Sequence, residues 1–128
     1  MIATRNYLTT FDLTKHYNLQ FLKDYYDEDI SSMKTILHLY LEETPKELEL
    51  IQRSLESNDA ATAKATTHKI KTNITMLGIK DHGNFVEAMH LLGATENVPN
   101  KIIALFKAFN LETMKGLQQI EEDFFGEK

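Results

Sequence analysis

Apolar residues recur along this chain at three- and four-residue steps, with almost no strict alternation, and that period predicts helices nearly throughout. Leu19, Phe21, Leu22 and Tyr25 mark a short first helix over Asn18 to Tyr25, with Asn18 as its cap. Asp27-Glu28-Asp29 breaks it, and Asp29 is placed to cap a long second helix whose stripe is Ile30, Met33, Leu37, Tyr40, Leu41, Leu48, Ile51 and Leu55. Pro45 falls inside that stripe. A proline there removes one backbone hydrogen bond, so the expectation is one helix bent near Leu41 to Pro45 rather than two helices. Ser57-Asn58-Asp59 is the next break. A third helix runs from about Asp59, its cap, to Leu77, and Gly78 stops it. A fourth spans about Asp81 to Leu92 and ends at Gly93. Glu96 to Asn100 is a loop, and Pro99 suits the first turn of a fifth helix over about Asn100 to Phe124. Ile102, Phe106, Phe109, Thr113, Leu117, Ile120 and Phe124 share one face of it, and Phe124-Phe125 either stays exposed or caps the end of the helices. The first dozen residues give no clear pattern.

Short breaks between long helices make antiparallel neighbours. The predicted fold is therefore all-α: an antiparallel up-down four-helix bundle built from the second to fifth helices, with the short additional N-terminal helix closing one end. The 128 residues fit a single domain over 1–128, with its core at about 18–123, an N-terminal extension over 1–12 and a tail over 124–128. Hydrophobic residues at 42% and charged residues at 26% are the proportions of a folded chain rather than a disordered one. The absence of cysteine removes disulfides, thiolate metal sites and cysteine nucleophiles from consideration and fits a reducing compartment. No apolar run approaches the roughly 20 residues that span a bilayer, and the first ten residues lack the features of a signal peptide. A cytoplasmic, monomeric protein with no membrane partner is expected, and the Met1 start suggests one that stands alone.

Charge singles out the third helix. The formal net charge is -5, which disfavours nucleic acid as a partner. Between Ala60 and Lys80, however, stand Lys64, Lys69, Lys71 and Lys80 and no acid; taking that +4 out of the -5 leaves -9 on the rest. Such a segment is either a solvated lysine-rich face or a surface for a local anionic partner, and charge alone does not choose. Helical geometry says more. Ala63, Thr67, Ile70, Ile74 and Leu77 form the apolar stripe, and His68 projects roughly 160° from Ile70, toward solvent. Around it fall Ala61, Lys64, Ala65, Lys71, Thr72 and Thr75. The small residues one turn back leave the imidazole open, and the lysines would stabilise a negative group on it. An exposed imidazole is an available nucleophile near neutral pH.

The stretch His68-Lys69-Ile70-Lys71-Thr72-Asn73-Ile74-Thr75-Met76-Leu77-Gly78 resembles the signature of histidine-containing phosphotransfer domains. That signature has a histidine, a lysine three residues on, small residues at the next two positions, then an aliphatic residue and a glycine nine and ten residues after the histidine. Lys71, Leu77 and Gly78 stand at the matching places. Asn18-Leu19-Gln20-Phe21-Leu22 resembles the family's opening helix, Leu39-Tyr40-Leu41-Glu42-Glu43-Thr44-Pro45 its proline-containing helix, and Leu48 to Ala60 its turn into the histidine helix, so about residues 18 to 123 are covered. The resemblance implies a phosphocarrier of a two-component phosphorelay rather than a true enzyme. His68 would take a phosphoryl group from a receiver-domain aspartate and pass it to another, with Lys71 beside the phosphate. It implies response-regulator receiver domains and a hybrid sensor histidine kinase as partners. It implies no cofactor on this chain, since the Mg2+ belongs to the receiver. No phosphate-cradling glycine loop is present, in keeping with the lack of a kinase core.

The chain departs from the pattern at Thr72, where the family has glycine, one turn from His68 on the same face, and at Asn73, larger than the usual serine or alanine. The alternative reading is thus an adaptor on the same bundle that docks a receiver or another acidic partner without transfer. Hairpin arithmetic about Ser57-Asn58 sets the level of His68 opposite Lys46 to Leu48, so Lys46 joins Lys64, Ala65, Thr72 and Thr75 as expected docking residues. His16, His38, His82 and His90 show no pair with the spacing and acidic partners of a zinc or di-iron helix site. No metal site is expected, and they read as surface or helix-end residues. Glu42-Glu43 and Glu121-Glu122-Asp123 read as solvated helix faces.

Overall fold

A computed structural model describes residues 15–126. The expectations for the first dozen residues lie outside that range. The described residues are all helical apart from turns and loops, with no strand among them. In order they form α1 (Gln20–Tyr26), α2 (Ile30–Glu56), α3 (Ala60–Leu77), a 3-10 turn (His82–Asn84), α4 (Phe85–Leu91) and α5 (Asn100–Phe125). No helix among them is long and apolar enough to cross a membrane.

The helix starts follow from acidic caps. Asp29 accepts from the Ser32 N–H at 3.1 Å and Asp59 from the Thr62 N–H at 3.1 Å, each satisfying an orphan donor of the first turn. These bonds, with those from the Ser32 and Thr62 hydroxyls, hold both carboxyls below their ordinary values. Asn18 Oδ1 accepts from the Gln20 N–H at 2.9 Å and so serves the start of α1. The second helix runs unbroken through Pro45 as one element of 27 residues. Asn58 adopts a positive φ between α2 and α3, and its side chain bonds Asn97 and the Val98 N–H, tying this turn to the loop before α5.

The fourth helix is shorter than the periodicity predicts. Gly83 (φ 69°) and Asn84 (φ 59°) both lie in the left-handed region, which breaks the expected Asp81-to-Leu92 helix into a 3-10 turn and the seven-residue α4. Asp81 still acts at its start, but across the turn: its carboxylate accepts from the Val86 N–H at 2.9 and 3.0 Å and from the Glu87 N–H at 3.2 Å.

One core joins these elements. α2 packs along α3, α4 bridges α3 and α5, and α1 lies against α2 and α3. Every residue of the expected α3 stripe is buried. In α2 the stripe is buried at Met33, Leu37, Leu48, Ile51 and Leu55, half-buried at Tyr40 and Leu41, and 53% exposed at Ile30, at the very start of the helix. Phe85, Phe106 and Phe109 pack edge-on or tilted, with centroids 5.0 to 6.4 Å apart, and fasten α4 to α5. Phe124 and Phe125 are half-buried, their rings against Tyr17 and His38.

Gly78 ends α3 in the left-handed conformation (φ 65°) and does a second job. Asn18 N–H donates to the Leu77 carbonyl at 3.0 Å, and a Cβ on residue 78 would sit 2.0 Å from the Asn18 carbonyl oxygen. Both the backbone conformation and the close approach demand glycine. Gly78→Ala is therefore expected to cost at least about 2 kcal/mol, read as a lower urea midpoint with an unchanged m-value.

Candidate functional site

The buried stripe of α3 fixes where the opposite face points, and that face carries an exposed His68. The imidazole has no hydrogen bond or ion pair among the described residues. Together with α4 and the segment leading into it, this face bounds an open groove of about 840 Å3. Ala61, Lys64, Ala65, His68, Lys71 and Thr75 line it from α3, and Asp81, Glu87 and His90 from the other wall, over an apolar floor that includes Ile74, Val86 and Met89.

Five of the six residues expected around His68 thus line the groove with it: Ala61, Lys64, Ala65, Lys71 and Thr75. Thr72 is exposed on the same helix but outside the groove. Lys46 is on α2, exposed, 4.0 Å from the Glu43 carboxylate, and it too lies outside. The hairpin arithmetic looked to α2 for the surface beside His68, whereas the groove next to it is walled by α4. The reason is that the α3 face turned to α2 is the buried one.

The two lysines flanking His68 have different tasks. Lys71 is exposed and unbonded among the described residues. Lys64 instead reaches across the groove, donating to the carbonyl oxygens of Met89 (3.1 Å), His90 (3.0 Å) and Leu92 (2.5 Å). These carbonyls cluster at the C-terminal end of α4, where the helix dipole favours a cation; Met89 also accepts the Leu92 N–H at 3.2 Å, and Lys64 supplies a donor to His90 and Leu92 as well. Lys64 therefore holds the groove's far wall against α3 and is not a free positive charge. Asn73, noted for its size, is turned inward: it is buried and donates to Thr44 Oγ1 at 3.2 Å and Glu47 Oε1 at 2.8 Å. Its size is absorbed between α3 and α2.

Sequence reasoning missed Asp81, Glu87 and His90 as groove residues. The signal was present in the fourth segment, where Val86 and Met89 turn inward and Glu87 and His90, three apart, share the other face. Reasoning from single histidines also missed a convergence elsewhere: His16 and His82 both approach Glu112, at 3.1 and 3.9 Å from its Oε1.

Two expectations follow from this geometry. Lys64→Met removes the donors to three carbonyls and is expected to cost about 1–3 kcal/mol. Faster hydrogen exchange of the 85–91 amides, with the α3 amides protected as before, would locate the loss in α4. Glu47 gives a pH signature. Burial pushes its carboxyl above the ordinary value, Lys69 draws it partly back, and Glu43 adds to the rise. A raised carboxyl favours the protonated folded state, so its contribution is present below the ordinary value near 4.5 and is lost as pH rises through the folded value. Glu47→Gln, which keeps an acceptor for Asn73, is expected to unfold at higher urea than the native chain at neutral pH, with the gap closing on acidification.

Comparison of the chain with family models, with curated proteins and with solved structures finds no match. Function has to be argued from the groove and its residues.

Proposed function

We propose that this protein is a histidine phosphotransfer protein of a two-component phosphorelay, built on an antiparallel up-down four-helix bundle in which α2 to α5 form the bundle and α1 closes one end. The observation that carries the reading is the exposed imidazole of His68 at the rim of the groove, with Lys71 three residues on and no internal partner among the described residues to occupy either side chain. The resemblance of residues 68–78 to the phosphotransfer signature supports the same assignment.

In this reading an imidazole nitrogen of His68 attacks the phosphorus of a receiver's aspartyl phosphate. The N–P bond forms as the bond to the carboxylate oxygen breaks, and the aspartate leaves as a carboxylate. Transfer to a second receiver runs the same step in reverse. The receiver brings the Mg2+, so this chain's share is alignment and charge: α3 holds the imidazole in line, and the Lys71 ammonium faces the transferring oxygens. Partners would be response-regulator receiver domains and, upstream, a hybrid sensor histidine kinase, met by a cytoplasmic monomer.

A second reading, an adaptor that docks a receiver without transfer, is favoured by Thr72. Its branched side chain is exposed one turn from His68, where a partner has to come close. The two readings separate on one experiment, incubation with a phosphorylated receiver domain or a small phosphoramidate. Relay predicts acid-labile, alkali-stable phosphate on the native chain and none on His68→Ala. It also predicts uptake slower by on the order of tenfold in Lys71→Ala, and faster from a receiver donor in Thr72→Gly. A folded native chain that takes no phosphate from any donor would leave the adaptor.

A further inference from the structure

The convergence on Glu112 lies apart from the groove and has no part in the proposed transfer. Its three side chains come from distant parts of the chain. His16 is in the segment that precedes α1, His82 is in the 3-10 turn, and Glu112 is on α5. Their ligating atoms all lie within 4.8 Å of one another. We infer that His16, His82 and Glu112 form a binding site for a first-row divalent transition ion, with zinc as the representative.

Geometry and donor type both point that way. A tetrahedral zinc centre has bonds of about 2.0–2.1 Å, which place neighbouring donors roughly 3.3 Å apart. The two imidazole nitrogens stand 3.1 and 3.9 Å from Glu112 Oε1 and within 4.8 Å of each other, so side-chain rotations that draw the three donors together close the set. Two imidazoles and one carboxylate suit zinc, cobalt, nickel or copper and not the all-oxygen preference of magnesium or calcium.

The site is also held open and in place. The His16 N–H donates to Gln119 Oε1 at 2.6 Å, and the neighbouring Lys15 pairs with Asp123 at 2.9 Å, so the segment carrying His16 is fastened along α5. The three side chains remain 33, 34 and 24% exposed, which lets an ion enter and leaves a fourth position facing solvent. An opposing feature is Lys115, 3.6 Å from Glu112 Oε2, which approaches the carboxylate oxygen that the imidazoles do not use.

An ion here would clasp the N-terminal lead, the turn into α4 and the last helix, closing two long stretches of chain at once. Binding of that kind stabilises the folded state by mass action. The native protein, stripped with chelator, is titrated with zinc chloride by calorimetry and followed by thermal unfolding. The expected result is one ion per chain and a rise in Tm of the order of 10 °C at about 100 times the dissociation constant. Cobalt is expected to give visible ligand-field absorption of a four-coordinate site. His82→Ala and Glu112→Gln, each verified as folded by circular dichroism, lose both signals. Lys115→Ala keeps them, and so does His68→Ala, which separates this site from the proposed relay. An absence of stoichiometric binding by the native chain overturns the inference. So does zinc binding that survives both His82→Ala and Glu112→Gln, which would put the ion on other histidines.

Discussion

The ammonium of Lys64, seated on three carbonyls at the end of α4, is the contact on which the shape of the candidate site depends. A helix of seven residues is too short to persist on its own. α4 persists because both ends are closed by side chains from elsewhere and its middle is in the core. Asp81 satisfies N–H groups at its start, Lys64 satisfies carbonyls at its end, and Phe85 is buried against Phe106 and Phe109. Apolar packing of Val86 and Met89 holds this wall on the helix that carries His68, and Lys64 adds the hydrogen bonds that fix its C-terminal end there. That end of the groove is thus held by a cation whose position in sequence, four residues before His68, looked like that of a phosphate ligand.

The exposure of His68 is in turn a consequence of burial on the other side of α3. Ile70, Ile74 and Leu77 face the core, and Asn73 meets Thr44 and Glu47 on α2, so the helix cannot rotate about its axis without exposing apolar surface and stranding a buried amide. Gly78 and Asp59 fix its two ends. A nucleophile or a docking residue placed opposite such a stripe has its backbone position and direction fixed, and its imidazole is left free for a partner.

What could be read from the sequence was whatever the chain encodes within a few residues. The α3 limits, its buried stripe, the Asp29 and Asp59 caps and the continuity of α2 through Pro45 all rest on local spacing and local hydrogen bonding. The rest depends on which elements meet. Gly83 and Asn84 break the fourth helix because two successive residues adopt positive φ, a choice that helical periodicity does not register. Lys64 reads as a free cation until α4 is placed 25 residues further on. Which helix walls the groove depended on side-chain direction, not on the level along the hairpin. His16 and His82 show no metal spacing in sequence because Glu112 lies on a third element.

Once Lys64 is committed, the basic character of α3 is redistributed. Lys69 is exposed on the same helix, outside the groove, and its charge partly offsets the burial of Glu47 on α2. Lys71 is then the remaining lysine of the groove, and the wall opposite carries Glu87 and His90 beside the capped Asp81. The rim is therefore bipolar, cationic on α3 and acidic on α4. A uniformly basic surface would attract any polyanion, whereas this rim orients what approaches: negative charge is favoured at Lys71 and opposed at Glu87. In the proposed relay, that asymmetry would favour the anionic group of a receiver beside His68 and Lys71 and neutral or basic residues of its docking face over Glu87.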